Sequence, residues 1–184
     1  MSSGEACYRR FLNGDRDAFS EVVDIYRAPL IFFINRYFCS LSLSEELAED
    51  CFVELIVNPR RYNFKSSLKT YLFTIARNKS VDFIRKNKHL VSSSEDVLSL
   101  SSEESLEFEQ DILKDEAKKS LHKALGRLIF DYRTVLHLLY FENMSYEQAG
   151  SVMKKTKKQI ENLAYRAKIA LRNTLEKEGF RYEE

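Results

Sequence analysis

Apolar residues recur at intervals of three and four along most of the chain, which is the spacing that places side chains on one face of an α-helix. Only five glycines and two prolines interrupt 184 residues, and no Asn-Gly or Asp-Gly turn stands between alternating apolar runs. With 44% hydrophobic and 31% charged residues, the chain has the composition of one compact soluble domain or two small ones. These features predict an all-α protein.

Three helices are expected in the first half of the chain. The first covers residues 15–38, where Pro29 should kink or divide it. Ser44 precedes the acid-rich start of the second helix, which ends at Asn58 and the proline that follows. The third runs over 68–88 after a loop of polar and basic residues.

Cations and aromatic rings are interleaved between the second and third helices. Residues 59–90 contain nine Lys or Arg and a single acid. Tyr62 and Phe64 stand in the loop, and Tyr71 and Phe73 follow at helical positions. Rings among cations suit unstacked bases and their phosphates, so this stretch predicts a surface for single-stranded nucleic acid. For Phe73, burial in the core is the favoured interpretation.

The composition changes after residue 90. Residues 91–111 are rich in serine and contain seven acids but no Lys or Arg. They predict an acidic flexible linker over 91–114, between one domain at 1–90 and another at 115–184. Scattered apolar residues within the linker indicate that part of it docks on another surface.

A second motif lies in the last third of the chain. Ser145 and Gln148 form an S-x-x-Q capping box that opens a short helix, and Thr156 can cap a second helix after a turn. Two such helices, the second one polar and cationic, are what a helix-turn-helix needs to enter the major groove. The polar face of that second helix comprises Lys158, Asn162, Tyr165 and Arg166, with Lys157 at its flank. A merely solvated helix start is the alternative, and this motif alone does not decide between them.

Several other classes of protein are disfavoured. No apolar run is long enough to span a membrane and the start lacks the pattern of a signal peptide, so we expect a cytoplasmic protein without membrane insertion. Cys7, Cys39 and Cys51 are widely spaced without a CxxC pair, which predicts core thiols rather than a disulfide framework or a zinc site. No paired-histidine motif or glycine-rich phosphate loop is present, so we expect neither catalysis nor a cofactor.

Two stretches of the sequence resemble a known family. They read "AEDCFVELIVNPRRYNFKSSLKTYLFTIARNKSVDFIRK" and, later, "MSYEQAGSVMKKTKKQIENLAYRAKIALRNTL". In this order they resemble the extracytoplasmic-function (ECF) class of bacterial RNA polymerase sigma factors, over residues 12–89 and 115–176. The resemblance implies two small helical domains joined by a flexible linker. These are a region 2 bundle and a region 4 helix-turn-helix.

The same resemblance implies a function and a set of site residues. A sigma factor binds core RNA polymerase without itself being a catalyst, recognises the −10 and −35 promoter elements as duplex and melted DNA, and is often held inactive by an anti-sigma factor. Asp50 and Glu54 would face the polymerase clamp. Candidates for the −10 element and strand opening are Arg61, Tyr62, Phe64, Lys65, Tyr71, Asn78 and Arg85. Candidates for the −35 element are Lys157, Lys158, Gln159, Asn162, Tyr165 and Arg166.

The sequence also departs from the family pattern. Lys154 stands where a turn glycine is frequent, and Glu161 and Leu163 stand where basic residues are common. Tyr71 stands where the family usually has Trp, so an aromatic ring is retained. The identity of the bases that this helix reads is therefore not predicted.

Three other functions compete with this interpretation. A dimeric helix-turn-helix repressor or activator would explain residues 121–176 but would leave the aromatic and basic loop without a role. A nucleic-acid hydrolase could use the acids Glu46, Asp50 and Glu54, although acids near a helix start more often complement the helix dipole. A purely structural helical adaptor would show no salt-dependent binding to promoter DNA.

Overall fold

The computed structural model describes residues 3–38, 40–91, 121 and 123–177, with the backbone alone for 88–91. In these ranges every regular element is helical, so the predicted all-α class is confirmed. The predicted linker lies outside the described residues apart from its first position. The helices are α1 (Ser3–Leu12), α2 (Ala18–Phe38), α3 (Leu41–Val57), a 3₁₀ turn (Pro59–Arg61), α4 (Leu68–Val91), α5 (Phe130–Leu136) with a π-helical continuation (His137–Phe141), α6 (Tyr146–Met153) and α7 (Lys157–Lys177).

The structure narrows one local prediction in the first half and corrects another. Pro29 does not divide α2, which continues through it from Ala18 to Phe38. The predicted start of the second helix after Ser44 is wrong, because α3 begins one turn earlier, after Ser40. Ser44 is instead buried inside the helix, and its hydroxyl donates to the Ser40 carbonyl at 2.7 Å.

Helices α1 to α4 form one bundle, called here the N-terminal bundle. Its core contains the fully buried side chains of Tyr8, Leu30, Phe33 and Leu55. Phe73 of α4 is fully buried, with its ring centroid 5.0 Å from that of Phe33, so its interpretation as a core residue is confirmed. Burial of this face of α4 leaves the opposite face, which carries most of its polar residues, directed outward.

Helices α5 to α7 form a second, smaller unit, called here the C-terminal bundle. Val152 and Met153 of α6 pack in its core with Ile160, Ala164 and Ala167 of α7. The turn between α6 and α7 depends on Lys154, which has a left-handed backbone with φ 55°. Glycine adopts a left-handed backbone without steric strain, which accounts for its frequency at this turn position. A lysine such as Lys154 is strained in the same conformation.

The two bundles pack directly on each other and share one continuous core. The Tyr37 and Phe130 rings lie 4.3 Å apart, and Phe33 lies 5.7 Å from the His137 ring. Helix α6 also packs against α4. The contact therefore includes packed aromatic rings, and it involves the same helix that carries the basic stretch.

An ion pair completes this contact. The Lys69 ammonium of α4 lies 2.7 Å from the Glu142 carboxylate, and it also donates to the Glu142 backbone carbonyl at 2.7 Å. The imidazole of His137 lies 3.3 Å from the other carboxylate oxygen. Burial acts to raise the pKa of Glu142, but the contacts with His137 and Lys69 outweigh it and hold the pKa below its ordinary value of 4.5. The charged form of Glu142 therefore stabilises the contact between the bundles.

We expect Glu142→Gln to lower the free energy of unfolding by about 1 to 2 kcal/mol at neutral pH, because the charged contact with Lys69 is lost. A depressed folded-state pKa gives stability that is present above the unfolded value of 4.5 and is lost as the pH falls through the folded value. The difference between the variant and the natural chain should therefore shrink below about pH 4.5 in denaturant titrations at several pH values. Glu176→Gln, which breaks an exposed pair with Arg172, is the control and should change little. A difference for Glu142→Gln that does not depend on pH would contradict the assignment.

Candidate nucleic-acid interface

An aromatic cluster occupies the junction of α1, the 3₁₀ turn and the start of α4. The Tyr62 ring lies 4.5 Å from Phe64, 5.0 Å from Tyr71 and 5.8 Å from Tyr8. Three of the predicted −10 residues, Tyr62, Phe64 and Tyr71, therefore come together. The cluster combines two partly exposed rings, Phe64 and Tyr71, with two buried rings, Tyr8 and Tyr62.

Tyr62 is one of the two buried rings of this cluster, with only 3% of its surface exposed. Its hydroxyl donates to the Ser66 carbonyl at 2.9 Å and lies 3.3 Å from a Glu5 carboxylate oxygen. Burial, reinforced by the charge of Glu5, raises the pKa of Tyr62 well above its ordinary value. In this conformation the buried Tyr62 ring packs inside the loop and stabilises it, and neither face of the ring is exposed to a base.

Phe64 is partly exposed and adopts a left-handed backbone with φ 60°. This conformation is unusual for a bulky residue and persists only where neighbouring groups hold it. Here the Arg9 guanidinium lies 3.9 Å from the centre of the Phe64 ring, and the Tyr62 ring packs beside it. Contacts from outside the loop thus fix the position of the loop's most accessible ring.

The loop also presents exposed cations. Arg61 pairs with Glu54 of α3, so one predicted DNA contact and one predicted polymerase contact bind each other. Lys65 is exposed, and its backbone N–H donates to the Asn63 side chain at 3.1 Å. The loop can therefore bring positive charge to a phosphate next to the aromatic cluster.

Helix α4 continues this surface away from the loop. Tyr71, Asn78 and Arg85 are seven residues apart, and two helical turns return them to nearly the same face. Together they span roughly 21 Å along the helix. Tyr71 and Asn78 are partly exposed, whereas Arg85 is exposed and pairs with Asp82 at 3.1 Å. The face is long enough to contact several consecutive nucleotides.

The helix-turn-helix has capped ends on both of its helices. Ser145 and Gln148 form the predicted reciprocal capping box of α6. Thr156 caps α7 as predicted, because its hydroxyl accepts from the Gln159 N–H at 3.3 Å. The Gln159 side chain in turn accepts from the Thr156 N–H at 2.8 Å. Gln159, which was predicted to contact the −35 element, therefore also stabilises the N-terminus of α7.

The outward face of α7 carries the predicted −35 residues. Tyr165 is 68% exposed, which is high for an aromatic side chain, while Ile160 and Ala164 on the opposite face are buried. The exposed side chains from the prediction are Lys157, Lys158, Gln159, Asn162, Tyr165 and Arg166. The helical periodicity of the sequence thus separated the two faces of α7 correctly.

Acids compete for some of the cations on this face. Lys157 contacts Glu147 of α6 at 2.7 Å, and this hydrogen bond lowers the pKa of Glu147 to about 2. Lys158 lies 3.5 Å from Glu161. Arg166 forms no ion pair with any other described residue, so its charge is the most available to an anionic ligand.

A third surface lies on α3. Asp50 is exposed and lies 3.4 Å from Lys79 of α4. Beside it the sequence analysis missed an exposed apolar group in which Val53 is 54% exposed, Ile56 45% and Val57 68%. Their helical spacing was visible in the sequence, but burial against a neighbouring helix would have given the same pattern. An exposed apolar patch next to an acid is typical of a surface that binds another protein.

Within the described ranges there is neither a metal-binding group of side chains nor a disulfide. No group of three or more His, Cys, Asp or Glu side chains there is arranged to hold a metal ion. Cys7 and Cys51 are buried free thiols. Among the described residues, no helix is both long and apolar enough to cross a membrane.

Two family models match the chain. The model described as sigma-70 region 2 matches residues 22–90, and the model described as sigma-70, region 4, matches residues 118–171. Together the two matches cover most of the chain and correspond to the N-terminal and C-terminal bundles. The more detailed boundaries at 1–90, 91–114 and 115–184 stay a prediction.

Curated relatives and solved structures are similar over most of their length. The ECF RNA polymerase sigma factors SigW and SigM of Bacillus subtilis (strain 168) are each 26% identical, over 88% and 81% of this chain and 91% and 86% of theirs. The sigma factor RpoE, in a complex with the anti-sigma factor NepR from Bartonella quintana, has a TM-score of 0.67 over 86% of this chain and 96% of its own, at 23% identity. CnrH, in complex with the cytosolic domain of CnrY, has a TM-score of 0.70 over 95% of this chain and 98% of its own, at 19% identity.

The tight turn between α6 and α7 gives a stability prediction. A Cβ atom at Gly150 would lie 2.6 Å from the backbone oxygen of Lys155, so Gly150→Ala should force the turn apart. We expect a loss of about 1 to 3 kcal/mol in the free energy of unfolding, measured by thermal or denaturant unfolding. Gly126→Ala is the matched control, because its added methyl group would meet open space. Equal stability of the two variants would contradict this account of the turn.

Proposed function

This chain belongs to the sigma-70 family of RNA polymerase sigma factors, in its ECF class, and we propose that it binds core polymerase, recognises both the −10 and the −35 promoter elements and opens the DNA at the first of them. The proposal rests on one observation: a single chain presents two different exposed surfaces whose chemistry suits nucleic acid, an aromatic and basic one at α4 and a polar cationic one at α7. A repressor needs only the second surface.

The −35 element is assigned to α7. Its first half combines exposed Lys158, Asn162, Tyr165 and Arg166, and Asn and Arg side chains are suited to adenine and guanine edges in the major groove. The N-terminal part of a recognition helix is the part that reaches base edges. The capped start of α7 is therefore the end that we place in the groove.

The −10 element and strand opening are assigned to the loop before α4 and to the outward face of that helix. Phe64 and Tyr71 offer partly exposed rings, and Lys65 supplies charge for the neighbouring phosphates. A base that leaves the duplex gains stacking on a ring of about 1 to 3 kcal/mol, which offsets the loss of stacking in the helix. Asn78 and Arg85 extend the contact to the following nucleotides. Tyr62 acts as the support of the loop.

Polymerase contacts are assigned to two apolar surfaces. The first is the outer face of α3, where Val53, Ile56 and Val57 lie beside Asp50. The second is a hollow of about 340 Å³ in the C-terminal bundle. Its lining consists of Leu121, Leu125, Leu136, Tyr140, Phe141, Lys168 and Leu171. With one surface in each bundle, the polymerase can hold both bundles on the promoter.

The proposal also covers partners and location. We infer that the chain acts in the cytoplasm with the polymerase, as a specificity subunit without catalytic activity. An anti-sigma factor is a proposed partner, because RpoE and CnrH, whose folds are similar, were each solved in a complex, the former with the anti-sigma factor NepR.

The assignment of α7 predicts the effect of two substitutions. Lys158→Ala should weaken binding to duplex DNA that contains the −35 element. It should also reduce the number of counterions released on binding, read from the salt dependence, by about one. Arg166→Ala should cost roughly tenfold in affinity and relax preference at one base pair. Both are measured by titrating the holoenzyme with labelled duplex at several salt concentrations.

Lys177→Ala is the control, since it removes the same charge from the far end of α7, roughly 16 Å beyond Arg166. Equal losses in all three variants would show that only the overall charge matters. No loss in Lys158→Ala and Arg166→Ala would show that another face of the bundle meets the DNA.

The assignment of α3 predicts a selective loss of polymerase binding. Val53→Ser and Val57→Ser should each weaken core polymerase binding by roughly fivefold or more, because an apolar contact is lost at the interface. Folding should be unaffected, since both side chains are exposed in the free chain. Ile169→Ser on α7, also an exposed apolar side chain, is the control. Unchanged affinity of the α3 variants, measured by fluorescence anisotropy, would contradict the assignment.

A further inference from the structure

Helix α1 precedes the residues that match sigma-70 region 2, yet it reaches the loop between the 3₁₀ turn and α4. A Glu5 carboxylate oxygen accepts from the backbone N–H of Leu68 at 3.2 Å. Leu68 is the first residue of α4, and its N–H belongs to the group that a helix cannot satisfy internally. A residue 63 positions earlier in the chain therefore caps α4.

The cap on α4 has two parts. Ser67 accepts from the Thr70 N–H at 3.1 Å and is the local cap of the helix. Glu5 satisfies a different N–H and brings a negative charge to the helix N-terminus, where the helix dipole favours it. The direction in which α4 leaves the loop thus depends on α1 as well as on the loop itself.

The same carboxylate reaches the centre of the loop. The Tyr62 hydroxyl lies 3.3 Å from Glu5 and donates to the Ser66 carbonyl at 2.9 Å, so it connects α1 to the last turn of the loop. Next to Glu5 on α1, Arg9 lies over the ring of Phe64, the residue with the strained backbone. The exposed side chains of Asn63, Lys65 and Ser66 give the loop little burial of its own.

Helix α1 is itself held closely. A Cβ atom at Gly4 would clash with the Tyr26 ring of α2, so the absence of a side chain allows α1 and α2 to approach closely here. The Tyr8 hydroxyl donates to the Leu55 carbonyl at 3.0 Å, and Arg10 pairs with Glu21 at 2.9 Å. The helix therefore provides a rigid support from which Glu5 and Arg9 act.

We propose that Glu5 and Arg9 are positioning residues for strand capture, which hold the loop at 62–67 and the start of α4 in the conformation that receives an unpaired base. This inference rests on the proposed function, because it assumes that the loop captures a base. It assigns a role in promoter opening to α1. Without these contacts the loop must be ordered at the expense of binding energy, so capture weakens while the other surfaces keep their affinity.

The test compares three binding reactions of the holoenzyme. They are the affinity of the chain for core polymerase, the affinity for duplex with the upstream element, and the affinity for a labelled single strand carrying the downstream element of a mapped promoter. Glu5→Ala should weaken only the third, on the order of fivefold, the effect expected from losing a helix cap. Glu5→Gln, which keeps an oxygen acceptor but no charge, should recover part of the loss.

Two further variants keep the proposal testable if Glu5→Ala folds poorly. Tyr62→Phe removes only the hydroxyl that joins α1 to Ser66 and should reproduce the selective loss. Glu176→Gln is the matched control, because it removes the same charge from an exposed pair with Arg172 on α7, outside α1 and the loop, and all three affinities should stay at the natural level.

The other possible results would overturn the inference, and one of them would overturn the proposed function as well. Equal losses in all three reactions would show that Glu5 serves general stability and would overturn the inference. Natural affinity for the single strand in both Glu5→Ala and Tyr62→Phe would also overturn it, while leaving the proposed function intact. If the natural chain with core polymerase fails to bind the single strand, strand capture itself is wrong, and the inference fails together with the proposed function.

Discussion

Burial of one face of α4 is the constraint on which the rest of the structure depends. Leu68, Leu72, Phe73 and Ala76 enter the core of the N-terminal bundle, and the packing of Phe73 on Phe33 fixes the rotation of the helix. Once that face is buried, the geometry of the helix fixes the direction of the remaining side chains. The aromatic and basic surface therefore exists because the apolar surface is satisfied elsewhere on the same helix.

The same helix joins the two bundles. Lys69 begins the first turn of α4 and binds Glu142, so part of the positive charge in the basic stretch is already neutralised within the chain. Lys65 and the exposed end of the helix keep their charge for another partner.

Much of this architecture follows from the sequence because periodicity reports burial within a single helix. It correctly separated the two faces of α7, placed Phe73 in the core and identified the Ser145 capping box. It did not reveal that Tyr62 is buried, because the groups that cover it, such as Tyr8 and Glu5, lie more than fifty residues away in the chain. The partners of Lys69 and Leu68 were hidden for the same reason. Loop residues carry no periodic signal, so their burial depends on distant contacts that only the fold supplies.

The central claim is that this chain directs RNA polymerase to promoters through two separate DNA surfaces. The most direct test is transcription in vitro with purified chain, sigma-free bacterial core polymerase and a pool of genomic fragments, followed by mapping of the transcript starts. The account predicts starts that require the chain and share two upstream motifs at a constant spacing. Starts that share a single motif, or a chain that binds duplex sites without core polymerase and yields no specific starts, would contradict it.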